Sequence, residues 1–125
     1  MNTEQVAKRL VELCREGKGQ QAQDELYSND AESYEMEAMA SGPLGNAKGL
    51  AAIREKGRQW NAGIEEVHGG TVGDPIVAGN WFSVPMTLDA TMKGRGRINL
   101  EEICVYQVRN GKIVREQFFY HMPGA

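Results

Sequence analysis

Cysteine and histidine are scarce in this chain, with two of each among 125 residues. Neither Cys14 nor Cys104 belongs to a Cys-x-x-Cys pair or a Cys/His ligand spacing, which excludes a zinc module and a disulfide framework. Both fall among apolar neighbours and are expected to be reduced core residues. No His-Glu-x-x-His run and no acidic loop with calcium spacing occurs, so no metal and no other cofactor is expected. Ser33, Ser41 and Ser83 lack a Gly-x-Ser-x-Gly context, and Gly42-Pro43-Leu44-Gly45 does not resemble a phosphate loop.

Basic charge is also in short supply. Fourteen Lys and Arg against seventeen Asp and Glu leave a net charge of −3, which argues against nucleic acid as a partner, because neutralising phosphates requires a basic surface. The one basic cluster, Lys93 to Arg97, reads as a solvated hairpin tip. No apolar run reaches the roughly 18 residues of a membrane span, and the segment MNTEQVAKRL lacks a signal-peptide core. The expectation is one cytoplasmic domain over residues 1–125, free of membrane contact.

What is present is patterned. Val6, Leu10, Leu13 and Cys14 follow helical spacing, with Asn2 or Thr3 to cap and Gly17 to stop, predicting a helix over 4–16. A second helix is predicted near 20–26 and a brief strand over 31–36. Residues 37–48 form a loop long enough to act as a lid. Leu50, Ile53, Gly57 and Trp60 define a third helix, with Gly57 expected to allow close packing on a sheet. Strands follow over 64–73, 76–92, 97–109 and 112–121. Helices first and a strand meander later indicate an α+β domain, its N-terminal helices wrapped by a curved antiparallel sheet.

The last two strands are apolar on both faces. Leu100, Glu102, Cys104, Tyr106 and Val108 point one way, Glu101, Ile103, Val105 and Gln107 the other, and neither set is purely polar. A sheet so written must be covered twice, so its outer face is expected to meet other helices, another sheet or a second copy of the chain; the last is a first hint of a homodimer, with His121 near the contact. In the strand before, Phe82, Val84, Met86, Leu88, Ala90 and Met92 form the inward set. Register in the last hairpin depends on the turn. A two-residue loop at Asn110-Gly111 puts Cys104 opposite Gln117, whereas a three-residue loop with a glycine bulge puts Cys104, Glu116 and Phe118 on one face.

Three segments carry a resemblance: Leu26 to Ala31 before the first strand, Gly49 to Arg54 opening the third helix, and Arg109 to Val114 before the last strand. In this order the chain resembles the SnoaL-like domains of the nuclear transport factor 2-like superfamily, over essentially its whole length. The resemblance implies a cone-shaped α+β fold with a deep, largely apolar cavity, and dimers formed through the outer sheet face. The ketosteroid isomerases share that fold, and their pattern selects the three-residue loop, so that Val84, Met86, Leu88, Cys104, Glu116, Phe118 and Tyr120 line the cavity. Their general base falls on Glu35, but their two oxyanion donors fall on Leu10 and Cys104, which excludes steroid isomerisation by that route. The buried acid of SnoaL-type polyketide cyclases corresponds to Glu116 or His121.

These readings converge on a cofactor-free enzyme of the isomerase, cyclase or dehydratase type, acting by acid/base chemistry on a small apolar oxygenated molecule. Glu35 is the expected base, with Glu102 and His68 as a polar relay. Glu102 and Glu116 share the cavity face, where a carboxylate needs a partner that His68 or Tyr106 is expected to supply. Trp60, Met86, Tyr106, Glu116, Phe118 and Tyr120 are the expected substrate contacts. The rival reading is a noncatalytic dimeric module that binds a hydrophobic ligand or a protein partner in the same cone.

Overall fold

The computed structural model describes residues 1–121. Helix α1 (Thr3–Arg15) starts at Asn2, whose side chain accepts from the Gln5 amide at 2.9 Å while the Gln5 side chain accepts from the Asn2 amide at 2.9 Å, a reciprocal capping box. It ends at Gly17, in the left-handed region at φ 72°. Helix α2 (Gly19–Leu26) leads directly into strand β1 (Tyr27–Tyr34). A short 3-10 turn (Glu37–Met39) and strand β2 (Ala47–Lys48) precede helix α3 (Leu50–Ala62), which is followed by β3 (Ile64–Val72), β4 (Ile76–Ala78), β5 (Trp81–Met92), β6 (Gly96–Arg109) and β7 (Lys112–Tyr120). Among the described residues no helix is long and apolar enough to cross a membrane.

The seven strands form one sheet in the order β2-β1-β7-β6-β5-β3, with β4 paired to β5. The fold is α+β and cone-like, as expected, but the sheet is mixed. Strand β1 runs parallel to β7 while every other pair is antiparallel. No turn links those two strands, so no hairpin geometry dictates their direction. The expected single strand over 76–92 is also corrected. Gly79 takes φ 62° and folds β4 back onto β5, pairing Ala78 with Trp81 and Ile76 with Ser83.

The inner face of the sheet is set by register. Phe82, Tyr106 and Glu116 share one row, Val84, Cys104 and Phe118 the next, and Met86, Glu102 and Tyr120 the third. The expected partition of the last hairpin therefore holds, through a different device. Asn110 (φ 52°) and Gly111 (φ 76°) make a two-residue turn that pairs Arg109 with Lys112. A bulge at Val114 then shifts the register, so Val108 faces Ile113 but Gln107 faces Arg115. A one-residue slip is thereby made inside the strand rather than in the loop.

Beneath α1 and α2 the core gathers Val6, Leu10, Leu13, Leu26, Phe82, Val84, Tyr106 and Ile113, all nearly inaccessible, with the Phe82 and Tyr106 rings stacked at 4.8 Å. Gly57 does not pack as expected, since a Cβ there would meet nothing within 4 Å. Gly111 is constrained twice, by its φ and by the Met1 carbonyl oxygen, which a Cβ would approach to 2.9 Å. Gly111→Ala should cost about 1–2 kcal/mol. Urea unfolding checks this, and an unchanged midpoint would contradict the strained turn.

Candidate functional site

Period-2 alternation places the first acid. In β1 Ala31 and Ser33 are fully buried, and Glu35, just past the strand end, continues the same inward face. Its backbone amide donates to Asn46 Oδ1 at 2.8 Å, so the 37–46 segment ties down the residue that carries the carboxylate. Glu35 Oε1 accepts from the Tyr120 hydroxyl at 2.8 Å and Oε2 from Lys56 Nζ at 2.7 Å. Both side chains of that ion pair are nearly inaccessible, 8% exposed for Glu35 and 13% for Lys56.

Lys56 comes from α3. Ile53, Lys56 and Trp60 follow helical spacing, so Lys56 lies on the packed side of the helix rather than in solvent. Its ammonium also donates to Ser33 Oγ at 2.9 Å and sits 5.3 Å from the centre of the Phe118 ring. Ser33 in turn donates to Glu116 Oε2 at 2.6 Å, and the Tyr27 hydroxyl donates to Glu116 Oε1. One connected path therefore runs Tyr120, Glu35, Lys56, Ser33, Glu116, Tyr27. No buried side-chain nitrogen or oxygen among the described residues lacks a partner, as a buried polar network requires.

Burial raises the Glu116 carboxyl above the ordinary carboxylate range, against the opposing effect of its two hydroxyl donors. Tyr27 is pushed well above the usual phenol value by burial and by the Glu116 charge. Glu102 is the exceptional acid. It sits in register between Met86 and Tyr120, and burial pushes it up to about 7, helped by the negative charge of Glu35 and Glu116 and opposed by a hydrogen bond with Cys104 and by the Lys56 charge. Unlike Glu35 and Glu116, it has no ammonium or hydroxyl hydrogen-bonded to it among the described residues.

Cover over the inner face is uneven. Along β5, Phe82 and Val84 are buried, Met86 and Leu88 are partly exposed, and Ala90 and Met92 are buried again. Leu100, Glu102, Phe118 and Tyr120 lie beside that gap and are likewise partly exposed. An opening in the helical cover thus centres on the row that holds Glu102.

The structure brings together most of the residues singled out from the sequence. Glu35, Glu102, Glu116, Met86, Phe118 and Tyr120 share the inner face, and half-buried Trp60 lies one helical turn beyond Lys56. Tyr106 belongs to the core, stacked on Phe82. His68 is elsewhere: its Nε2 lies 2.7 Å from Thr91 Oγ1 on the outward set of β5, with Glu66 at 3.9 Å. The partners of Glu116 are Tyr27 and Ser33, not His68 or Tyr106, because β1 pairs Ser33 directly with Glu116. No cluster of potential metal ligands occurs among the described residues. A surface groove of about 900 Å³ between α1 and the Asp74–Val77 segment is lined by none of these acids, and its charges are already paired, Arg15 with Asp74 and Lys8 with Glu4 inside the groove, Glu12 with Arg9 and Glu16 with Lys18 beside it.

Comparison with known proteins agrees with the fold. The profile of the SnoaL-like domain matches residues 1–120. A Mesorhizobium loti protein, provisionally described as a SnoaL-like polyketide cyclase, is 36% identical, with 96% of this chain and 100% of that one covered and a TM-score of 0.88. A nuclear transport factor 2-like protein of unknown function from Burkholderia pseudomallei is 18% identical over 97% of this chain and 92% of its own, with a TM-score of 0.76. A Bacillus subtilis protein provisionally called an isomerase is also 18% identical, over 97% and 90%, with a TM-score of 0.74. The last two likenesses concern the fold alone. A search of curated proteins returns no match.

Proposed function

The chain belongs to the SnoaL-like domain family, and from that membership we propose a cofactor-free acid/base enzyme of the isomerase, cyclase or dehydratase type, acting on a small apolar oxygenated molecule. What supports this reading is Glu102, a carboxyl pushed up to about 7 by burial on the partly exposed stretch of the inner face beside Met86, Phe118 and Tyr120. A group half-ionised near neutrality takes a proton and returns it with little driving force lost in either direction. Glu35, already engaged by an ammonium and a phenol, is the weaker candidate for base. Its role in this reading is electrostatic: it holds Lys56 in place and, with Glu116, keeps the Glu102 proton tightly bound.

The test is solvent-deuterium exchange into a panel of apolar ketones, with and without hydroxyl groups, using wild type and Glu102→Gln. The variant should lose exchange by on the order of a hundredfold or more. Exchange that proceeds equally well in the variant removes Glu102 from the chemistry. Ligand binding with no exchange in either protein favours the noncatalytic module.

The outer sheet face supports a second copy of this chain as partner. Pro85, Ile103 and Phe119 form a row across β5, β6 and β7, with Ile103 53% and Phe119 43% exposed. Trp81 and Ile76 lie on the same face. An apolar surface spread over four strands is unfavourable in water and suits a two-fold contact. Light scattering at micromolar concentration should give a dimer for wild type and a monomer for Ile103→Glu; a monomeric wild type overturns the proposal.

A further inference from the structure

Hydrogen-bond donors and acceptors around the opening are out of balance, and the imbalance says what kind of molecule fits there. Every hydroxyl in the connected path is committed to a carboxylate, Tyr27 and Ser33 to Glu116 and Tyr120 to Glu35. Lys56 gives hydrogens to Ser33 and to Glu35, and its ammonium lies over the Phe118 ring. The cluster therefore has no hydroxyl free to meet a ligand. Acceptors are in surplus, since an ionised carboxylate has about four lone-pair sites and among the described residues Glu102 is met only by the weak thiol donor of Cys104.

We infer that the opening takes an apolar molecule that offers an O–H or N–H hydrogen to Glu102, and that it rejects carboxylates. The inference rests on the proposed reading of Glu102 as the ligand-facing group and adds the class of ligand. A ligand hydroxyl or ammonium fills the vacant lone pairs of Glu102 while its apolar body covers Met86, Leu88 and Leu100, which are otherwise partly exposed. A ligand that carries only acceptors leaves those lone pairs desolvated and unmatched. A carboxylate adds a fourth negative group beside Glu35, Glu102 and Glu116, where the single ammonium is already shared between Glu35 and Ser33.

A matched naphthalene series tests this by calorimetric titration at pH 8.5, where Glu102 is ionised. The probes are 2-naphthylmethanol, its methyl ether, 2-naphthylmethylamine and 2-naphthoate. The alcohol and the amine should bind about tenfold or more tighter than the ether, and the naphthoate weaker than all three. In Glu102→Leu, or Glu102→Met should leucine pack poorly, alcohol and ether should become equal. An ether as tight as the alcohol in wild type, a naphthoate tighter than both, or an alcohol preference that survives removal of Glu102 overturns the inference. Donor preference without deuterium exchange leaves this inference standing and overturns the catalytic reading; exchange without donor preference does the reverse.

Discussion

Lys56→Met is expected to destabilise the protein by about 3–5 kcal/mol, the cost of leaving one member of a buried ion pair without its counter-charge. Methionine matches the lysine stem in length, so lost packing is small and the effect is electrostatic. Glu35, 8% exposed, would keep only the Tyr120 hydroxyl, and Ser33 would lose the ammonium that fixes the direction of its own hydrogen toward Glu116. By contrast, removing the exposed pairs Arg58–Glu55 or Lys8–Glu4 should leave the urea midpoint nearly unchanged, because solvent screens them. The control is the double variant Lys56→Met with Glu35→Leu, which removes both charges and should recover most of the loss. Urea midpoints at constant slope measure wild type, both single variants and the double variant. If the double variant is as unstable as the summed single losses, the two groups are not coupled and the buried pair is not what holds α3 to β1.

Much of this arrangement was legible because strand alternation is a strong local signal. The even-numbered residues from Leu100 to Val108 and from Phe82 to Met92 each fall on one face whatever the neighbouring strand does, so Glu102 could be placed on the face of Met86 before any coordinates, while the register that sets the two opposite each other could not. The helix caps were equally local, since Asn2 and Gly17 act within a few residues of themselves. Pairing between distant segments was not legible. Nothing near Ser33 announces that β1 will lie parallel to β7 and set its hydroxyl against Glu116.

The α3 stripe was read with Gly57 inward and Lys56 was not singled out, yet the step from Ile53 to Trp60 passes equally well through Lys56. The missed signal was stoichiometric: three acids on inward-facing positions demand a cation, and α3 offers one at that step. His68 was misleading for the opposite reason. A bulge between Val67 and Gly69 breaks the alternation of β3 and leaves His68 beside Thr91 on the outward set of β5. The hairpin bulge at Val114 likewise reproduced the face assignment expected from a longer loop, because only the parity of residues between the strands determines which side chains meet.

Glu102→Gln is expected to make the protein more stable than wild type above pH 7 and no more stable near pH 4. The carboxyl has its folded pKa raised from 4.5 to about 7. Between those values the folded chain holds a proton that the unfolded chain has released, so wild-type stability falls as pH rises through the window. About a unit above 7 the full penalty is present, about 3 kcal/mol for a shift of this size. Glutamine keeps the shape and cannot ionise, so its stability should pass through the same window without that slope. Glu116, also raised, contributes a fall of the same sign in both proteins and cancels in part, the remainder being its repulsion with the Glu102 charge, which adds to the difference in the same direction. The two curves should therefore converge near pH 4 and separate progressively up to pH 8, as read from urea midpoints every half pH unit. Parallel curves would mean that Glu102 ionises as an ordinary surface acid, and with that the case for it as the proton-transferring group would fall. Separation of the predicted sign would tie function to a measurable cost: burial puts Glu102 in range for proton transfer at neutral pH, and the same burial lowers stability when the group is charged.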